Sequence, residues 1–285
     1  MTRLSSELIS GMSETIAAYD LELVQKSGLT LRQIAARTAG LSEEILCEAF
    51  RSECVAVIPV TAGPGVIEGF TQSVEGIIKH LGCPCFITAN SDVAGLAEGI
   101  EKGATVVFLA DDNRFIAVNV SQKRVIDNAE STGWSYAYAL DACAGGLNGR
   151  DVLLIGAGRV GKNALLALLR LGAKVGVFDI DGSKVQSLVD KFKIKRVENL
   201  SDALNLYTLF FDASPASDII HAEHIKPETA IAACGIPIGL SDEALLLVEE
   251  RLIHDPLQLG TAAMLAMAVC HGSNDKNGGR IGRIA

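Results

Sequence analysis

Apolar positions recur at about one helical turn through the first fifty residues. Leu8, Met12, Ile16 and Leu21 mark one such face, and residues 31–36 resume the pattern after Gly28. Ser42 followed by Glu43 and Glu44 predicts a third helix start, because a hydroxyl and two carboxylates complement the free N–H groups there. From Cys54 the period changes. Residues 54–60 are almost wholly apolar, which predicts a buried strand, and Gly63-Pro64-Gly65 is a turn. A helix over 71–81, a strand over 84–88, a helix over 92–102 and a strand over 104–109 follow, with 115–118 as a hairpin partner. Ser131-Thr132-Gly133 precedes a long helical stretch to Leu147, which Asn148-Gly149 closes and which leads into a second series. There, strands at 152–155, 174–178, 195–197, 206–211, 229–233 and 252–254 alternate with helices, ahead of a last apolar helix over 261–270. That alternation predicts an α/β protein: a C-terminal Rossmann-type, doubly wound parallel sheet plus a smaller N-terminal helical and α/β substrate domain. The expected division is 1–147 for the substrate domain, 148–270 for the Rossmann domain with its C-terminal helix, and 271–285 for a flexible, Gly-rich tail.

Composition narrows the class. Hydrophobic residues are 49% and charged residues 21% of the 285, enough for a large core. A net charge of -9 without a basic cluster argues against nucleic acid and anionic membranes. Neither a leader pattern nor an apolar run of membrane-spanning length is seen, so a cytoplasmic location is expected. The seven cysteines lack paired metal-ligand spacing, and several lie in apolar segments, as small hydrophobes do in a reducing compartment. His221 and His224 lack a third ligand and read as a surface pair, so no metal is expected.

The strongest chemical signal is Gly156-Ala157-Gly158-Arg159-Val160-Gly161. Four apolar residues precede it as a strand, and Leu165, Leu166 and Leu169 follow it as a helix. Gly156 allows the tight turn, Gly158 lets the backbone approach a pyrophosphate, and Gly161 lets helix and strand pack closely. The helix N-terminus then faces the phosphates. Asp179 ends the next strand, 18 residues on (179 minus 161), where a carboxylate binds ribose hydroxyls and repels a 2′-phosphate. Ile180 and Asp181 follow, with no arginine to take that phosphate, so the expected cofactor is NAD. Two further loops at strand ends, Asp212-Ala213-Ser214-Pro215 and Cys234-Gly235-Ile236-Pro237, combine small residues with proline and would let a flat ring approach the backbone.

The first unit offers two polar strand ends: 61–65 and Ala110-Asp111-Asp112-Asn113-Arg114. A carboxylate at a strand end suits an ammonium substrate or a proton acceptor, and the same residues equally suit a solvated turn. A small-molecule substrate is expected, and a homodimer is left open.

Residues 57–70, 109–119, the Gly156 fingerprint and 255–265 together resemble the pyrrolysine synthase family, over about 4–267. The resemblance implies an NAD-dependent dehydrogenase acting on a CH–NH2 group in pyrrolysine biosynthesis. Its substrate would be lysyl-Nε-3-methyl-D-ornithine, oxidised at the terminal amine carbon. Loss of ammonia and cyclisation with loss of water would follow. It also implies that Asp111 is the catalytic contact to the substrate amine, that Thr61, Ala62 and Gly63 form the substrate loop, and that Leu4 closes over the substrate. Gly156, Gly158, Arg159, Val160, Gly161, Asp179 and Ile180, with Ala213, Ser214, Pro215, Cys234, Gly235 and Thr261, would bind NAD. Where other members carry serine and asparagine, this chain has Ala62 and Pro64, which leaves only backbone contacts there. The alternatives are another NAD-dependent amino-acid or shikimate-like dehydrogenase, or a non-catalytic NAD sensor.

Overall fold

The computed structural model describes residues 6–62, 67–192 and 194–270. Four helices come first: α1 (Ser6–Ile9), α2 (Met12–Ser27), α3 (Leu31–Ala39) and α4 (Glu43–Arg51). Their starts obey the capping rule. Thr30 and Gln33 form a capping box on α3, and Ser42 accepts from the Ile45 N–H on α4. Next come β1 (Val55–Ile58), α5 (Phe70–His80), β2 (Cys85–Ile87), α6 (Asp92–Glu101), β3 (Val106–Ala110), β4 (Phe115–Asn119) and β5 (Arg124–Asp127). They build a five-stranded sheet in the order β2-β1-β3-β4-β5. The first three strands run parallel, while β4 and β5 run antiparallel as a meander.

The helix α7 (Asn128–Cys143) leads to β6 (Asp151–Ile155), α8 (Arg159–Arg170), β7 (Lys174–Phe178), α9 (Gly182–Val189), β8 (Lys195–Arg196) and α10 (Leu200–Leu206). After them come β9 (Leu209–Asp212), β10 (Ala230–Ala233), α11 (Asp242–Val248), β11 (Leu252–Ile253) and α12 (Gln258–Val269). The six strands are parallel in the order β11-β10-β9-β6-β7-β8. Counted from β6 this is 3-2-1-4-5-6, the doubly wound dinucleotide order, whose crevice opens at the carboxyl ends of β6 and β9.

Four expectations need correction. β5 was absent from the pattern, because four residues with one fully buried side chain carry little periodicity. α7 starts at Asn128 rather than after Gly133, since Asp127 caps it by accepting from the Ala129 N–H. Leu206 ends α10 instead of opening β9. His224 is buried, its Nδ1 accepting from the His221 N–H at 3.0 Å, so the two histidines are a local turn lock and not a surface pair. Among the described residues no group of side chains could hold a metal, and no helix is long and apolar enough to cross a membrane.

The two sheets share one framework. α7 packs against α8 so closely that a Cβ on Gly133 would come within 2.7 Å of the Ala164 nitrogen and the Val160 oxygen. Every residue of α12 is buried, as an all-round apolar helix requires. Although it follows the last Rossmann strand, α12 packs on α3, α5, α7 and β4. The chain therefore returns to the first sheet, and a buried polar knot ties the return. Tyr19 on α2 donates to Asp255 Oδ2, the Tyr136 hydroxyl on α7 donates to the Asp255 carbonyl, and Asp255 Oδ1 accepts from the Leu259 N–H. Burial raises the Asp255 carboxyl and both tyrosines.

Candidate active site

The fingerprint loop fits a dinucleotide on geometric grounds. Gly156 sits at φ +95°, open to glycine and strained for other residues. A Cβ on Gly161 would overlap the Gly156 oxygen, so helix and strand meet at a distance only hydrogen permits. At Gly158 nothing lies within 4 Å of a Cβ, and the residue is exposed: this is the open side from which a pyrophosphate reaches the backbone. Asp179 Oδ2 accepts from the Ala157 N–H at 2.7 Å and Oδ1 from the Asp181 N–H at 2.8 Å. The carboxylate thus ties the first turn to the second strand and keeps lone pairs for ribose hydroxyls. Lys184 Nζ lies 3.9 Å from Asp179 and 3.7 Å from Asp181, leaving two carboxylates around one ammonium. That balance disfavours a 2′-phosphate. Val160 is half-buried at the head of α8, and Ile180 is 97% exposed at the rim.

Three loops interlock beside it. A Cβ on Gly156 would lie 2.9 Å from the Ala213 oxygen and 3.1 Å from the Ser214 nitrogen, and one on Gly235 would overlap the Ser214 oxygen. The 213–215 segment is therefore wedged between the ends of β6 and β10. Asp212 closes the wedge from inside: Oδ1 accepts from the Ser214 N–H at 2.9 Å and from its hydroxyl at 2.7 Å. Burial pushes the Asp212 carboxyl up to about 6 and raises the neighbouring Cys234 thiol, which stays protonated and non-nucleophilic. Pro215 is exposed. Thr261 is fully buried within α12, and its hydroxyl lacks a partner among the described residues.

On the first sheet, β1 and β3 are adjacent and parallel, with Ile58 opposite Leu109. The Thr61 and Asp111 segments therefore leave the same edge. Thr61 donates its N–H to Asp92 Oδ1 at 2.8 Å and its hydroxyl to Asp92 Oδ2 at 2.5 Å. These bonds hold Asp92 below the usual carboxylate range, Thr61's hydroxyl first. Asp111 opens the β3–β4 turn. Its Oδ1 accepts from the Asn113 and Arg114 N–H groups, both at 2.7 Å, which also lowers its carboxyl. Asp111 is exposed, and its Oδ2 has no hydrogen bond among the described residues. Ala62 is exposed, while Leu4 and Gly63 lie outside the described residues.

Arg159 joins the two halves. From the fingerprint it donates to Asp127 Oδ2 at 2.7 Å and to the Asn113 oxygen at 3.3 Å. Arg114 shares the same Asp127 oxygen at 3.0 Å. The turn that carries Asp111 is thereby held at the mouth of the cofactor loop. Sequence reasoning missed Asp92 and Asp127. Asp127 caps α7 and Asp92 is the first residue of α6, and an acid at a helix start is the only signal either one offers.

The comparisons with known proteins bear on this pairing of units. Residues 9–126 match the family described as pyrrolysine biosynthesis protein PylD, N-terminal domain. Residues 140–245 match the S-adenosyl-L-homocysteine hydrolase NAD binding domain. The pyrrolysine synthase of Methanosarcina acetivorans is 30% identical over 251 residues, covering 86% of this chain and 96% of that protein. This chain belongs to the pyrrolysine synthase family. The Methanosarcina barkeri pyrrolysine synthase is 28% identical, covering 85% and 91%. Membership and the NAD-binding match make the chain an NAD-dependent dehydrogenase of pyrrolysine biosynthesis, acting on a small molecule. Among solved structures, a methylenetetrahydrofolate dehydrogenase/cyclohydrolase from Campylobacter jejuni shares the fold. Its TM-score is 0.52 at 16% identity, with 84% and 95% of the two chains covered.

Proposed function

We propose that this member of the family closes the pyrroline ring, with residues 1–147 holding the substrate and 148–270 the cofactor. The likeness to pyrrolysine synthase along nearly the whole relative carries this reading. The substrate is the amide of the lysine side-chain amine with 3-methyl-D-ornithine. Its terminal CH2–NH2 loses two hydrogens to become CH=NH, and water then replaces ammonia to leave an aldehyde. The ornithyl α-amine adds to that carbon and expels water, giving the cyclic imine. Bound NAD supplies the two-electron oxidation.

The chain's own residues bind, orient and exclude water. The free Oδ2 of Asp111 faces the terminal ammonium at the rim. A carboxylate held low by two backbone N–H groups is a good counter-charge and a weak base. Asp111 therefore orients the amine, and the proton that must leave before oxidation passes to water. Thr61, fixed by Asp92, offers hydroxyl lone pairs to the ammonium-bearing parts of the substrate. Ala62 contributes no polar side chain, so the 61–63 loop works through its backbone. The Arg159 clasp sets the distance between amine and cofactor. Ring closure is intramolecular and needs only that the tethered amine and aldehyde stay together.

The deciding experiment follows NADH absorbance with NAD and synthetic lysyl-Nε-3-methyl-D-ornithine, with mass spectrometry of the product. NADH together with a product lighter by ammonia and two hydrogens is expected. NAD binding without NADH would discard this substrate.

A further inference from the structure

We infer that Asp212 is a positioning residue which turns Ser214 into an acceptor-only group for the hydroxyl or amide donors on the nicotinamide half of the cofactor, and that its negative charge favours the oxidised ring over the reduced one. The inference rests on the cofactor site alone and not on the ring-closing chemistry, so its test omits the amine substrate.

The geometry is specific. A serine hydroxyl has one hydrogen, and here it is spent on Asp212 Oδ1 at 2.7 Å. What Ser214 presents to the half-open cleft is lone pairs. Those attract ribose hydroxyls and a carboxamide NH2 and repel phosphate oxygens. The wedge between Gly156 and Gly235 prevents Ser214 from turning away. Asp212 itself is 0% exposed, and its Oδ2 has no hydrogen bond among the described residues. That oxygen lies against Gly239, where a Cβ would overlap it and whose backbone N–H helps hold the carboxyl down. A carboxylate with one oxygen bonded to a loop and the other buried without a partner is costly to keep unless its charge is used. The oxidised nicotinamide ring is positive, and the reduced ring is neutral.

The titratable groups facing Asp212 are few. Just after β10 the Cys234 thiol reaches the Asp212 carbonyl at 3.5 Å, and burial keeps it protonated. After β11, His254 sits with Nδ1 2.7 Å from the Ala233 oxygen and pulls the Asp212 carboxyl down against its burial. The side of β6 contributes only Ile155, opposite Asp212 in the sheet. Protonation of Asp212 therefore weakens both bonds to Ser214 and removes the charge in one step.

The test measures dissociation constants of NAD+ and NADH for the whole protein by calorimetry, between about pH 8 and pH 5. For the native chain NAD+ binding weakens about tenfold on the acid side, the scale of one lost charge-assisted bond, and NADH binding weakens less. In Asp212→Asn the ratio of the two constants no longer changes with pH. Ser214→Ala weakens both cofactors about fivefold at the alkaline end, and Ser214→Thr restores them. A native NAD+ affinity that is flat across the range overturns the inference, as does Ser214→Ala binding like the native chain. If Asp212→Asn fails to fold, Ser214→Ala serves in its place: it removes a donor that holds the Asp212 carboxyl down, so the acid-side loss of NAD+ affinity moves to higher pH. A loss that stays at the native pH would be equally fatal.

Discussion

Thr61 and Ser214 belong to the two units that meet at the Arg159 clasp, and each gives its hydroxyl hydrogen to a carboxylate. The partners differ in one respect. Asp92 is only half-buried at the head of a helix, and the Thr61 donors lower it. Asp212 is sealed behind a strand end, and burial raises it to about 6 despite the same kind of donors. One pairing of side chains thus yields a permanently charged rim on the substrate side and a titratable wall on the cofactor side. Local hydrogen bonding sets the direction of a shift only until desolvation exceeds it.

The most forceful way to break this comparison is pH-dependent stability. Asp212 has a folded value of about 6 against 3.8 unfolded, so the folded chain binds the extra proton between them. Its contribution is full below the unfolded value and is lost as pH rises through about 6. The stability of the native chain relative to Asp212→Asn should therefore climb by about 3 kcal/mol as pH falls through that window. Urea unfolding of both proteins across pH checks it. A difference that does not change with pH would mean that Asp212 is already ionised at no cost.

Asp111→Asn comes next. The amide keeps an oxygen for the Asn113 and Arg114 N–H groups, so the turn survives, while the counter-charge disappears. Turnover should fall about a hundredfold with unchanged NAD affinity, and native turnover would remove Asp111 from the mechanism. Gly235→Ala drives a methyl into the Ser214 oxygen and should weaken NAD ten- to a hundredfold, the usual range for overpacking. Calorimetry measures it, and native affinity would show that the wedge yields.

Arg159→Ala removes an exposed ion pair and one carbonyl contact. It should cost at most about 1 kcal/mol in stability yet raise the KM for the amine substrate, because the Asp111 turn loses its anchor. Equal changes in KM for NAD and for the amine would argue against a clasp. The smallest effect sharpens the comparison most. The native chain should lose stability relative to Asp92→Asn as pH falls below the ordinary carboxylate range, since a lowered folded value protects only above it. Its slope is opposite to that of Asp212, and parallel slopes would erase the contrast.

The chain's own pattern determined much of this. The strand before Gly156, the three glycines and Asp179 specify a dinucleotide turn, because each carries a local steric demand that no distant contact can replace. The alternation after Asp151 set the doubly wound class for the same reason. Other features depend on residues far apart in the chain. β5 and the true start of α7 escaped the pattern because one capping acid, Asp127, does the work of a periodic face. The return of α12 to the first sheet was equally hidden: an all-apolar helix has no polar side to say which partner it covers. Asp212 and Asp92 look alike as letters, each an acid beside a strand or helix end. Only tertiary structure decided that one is sealed and the other half-open, because desolvation is a property of everything packed around a group and not of its neighbours in sequence.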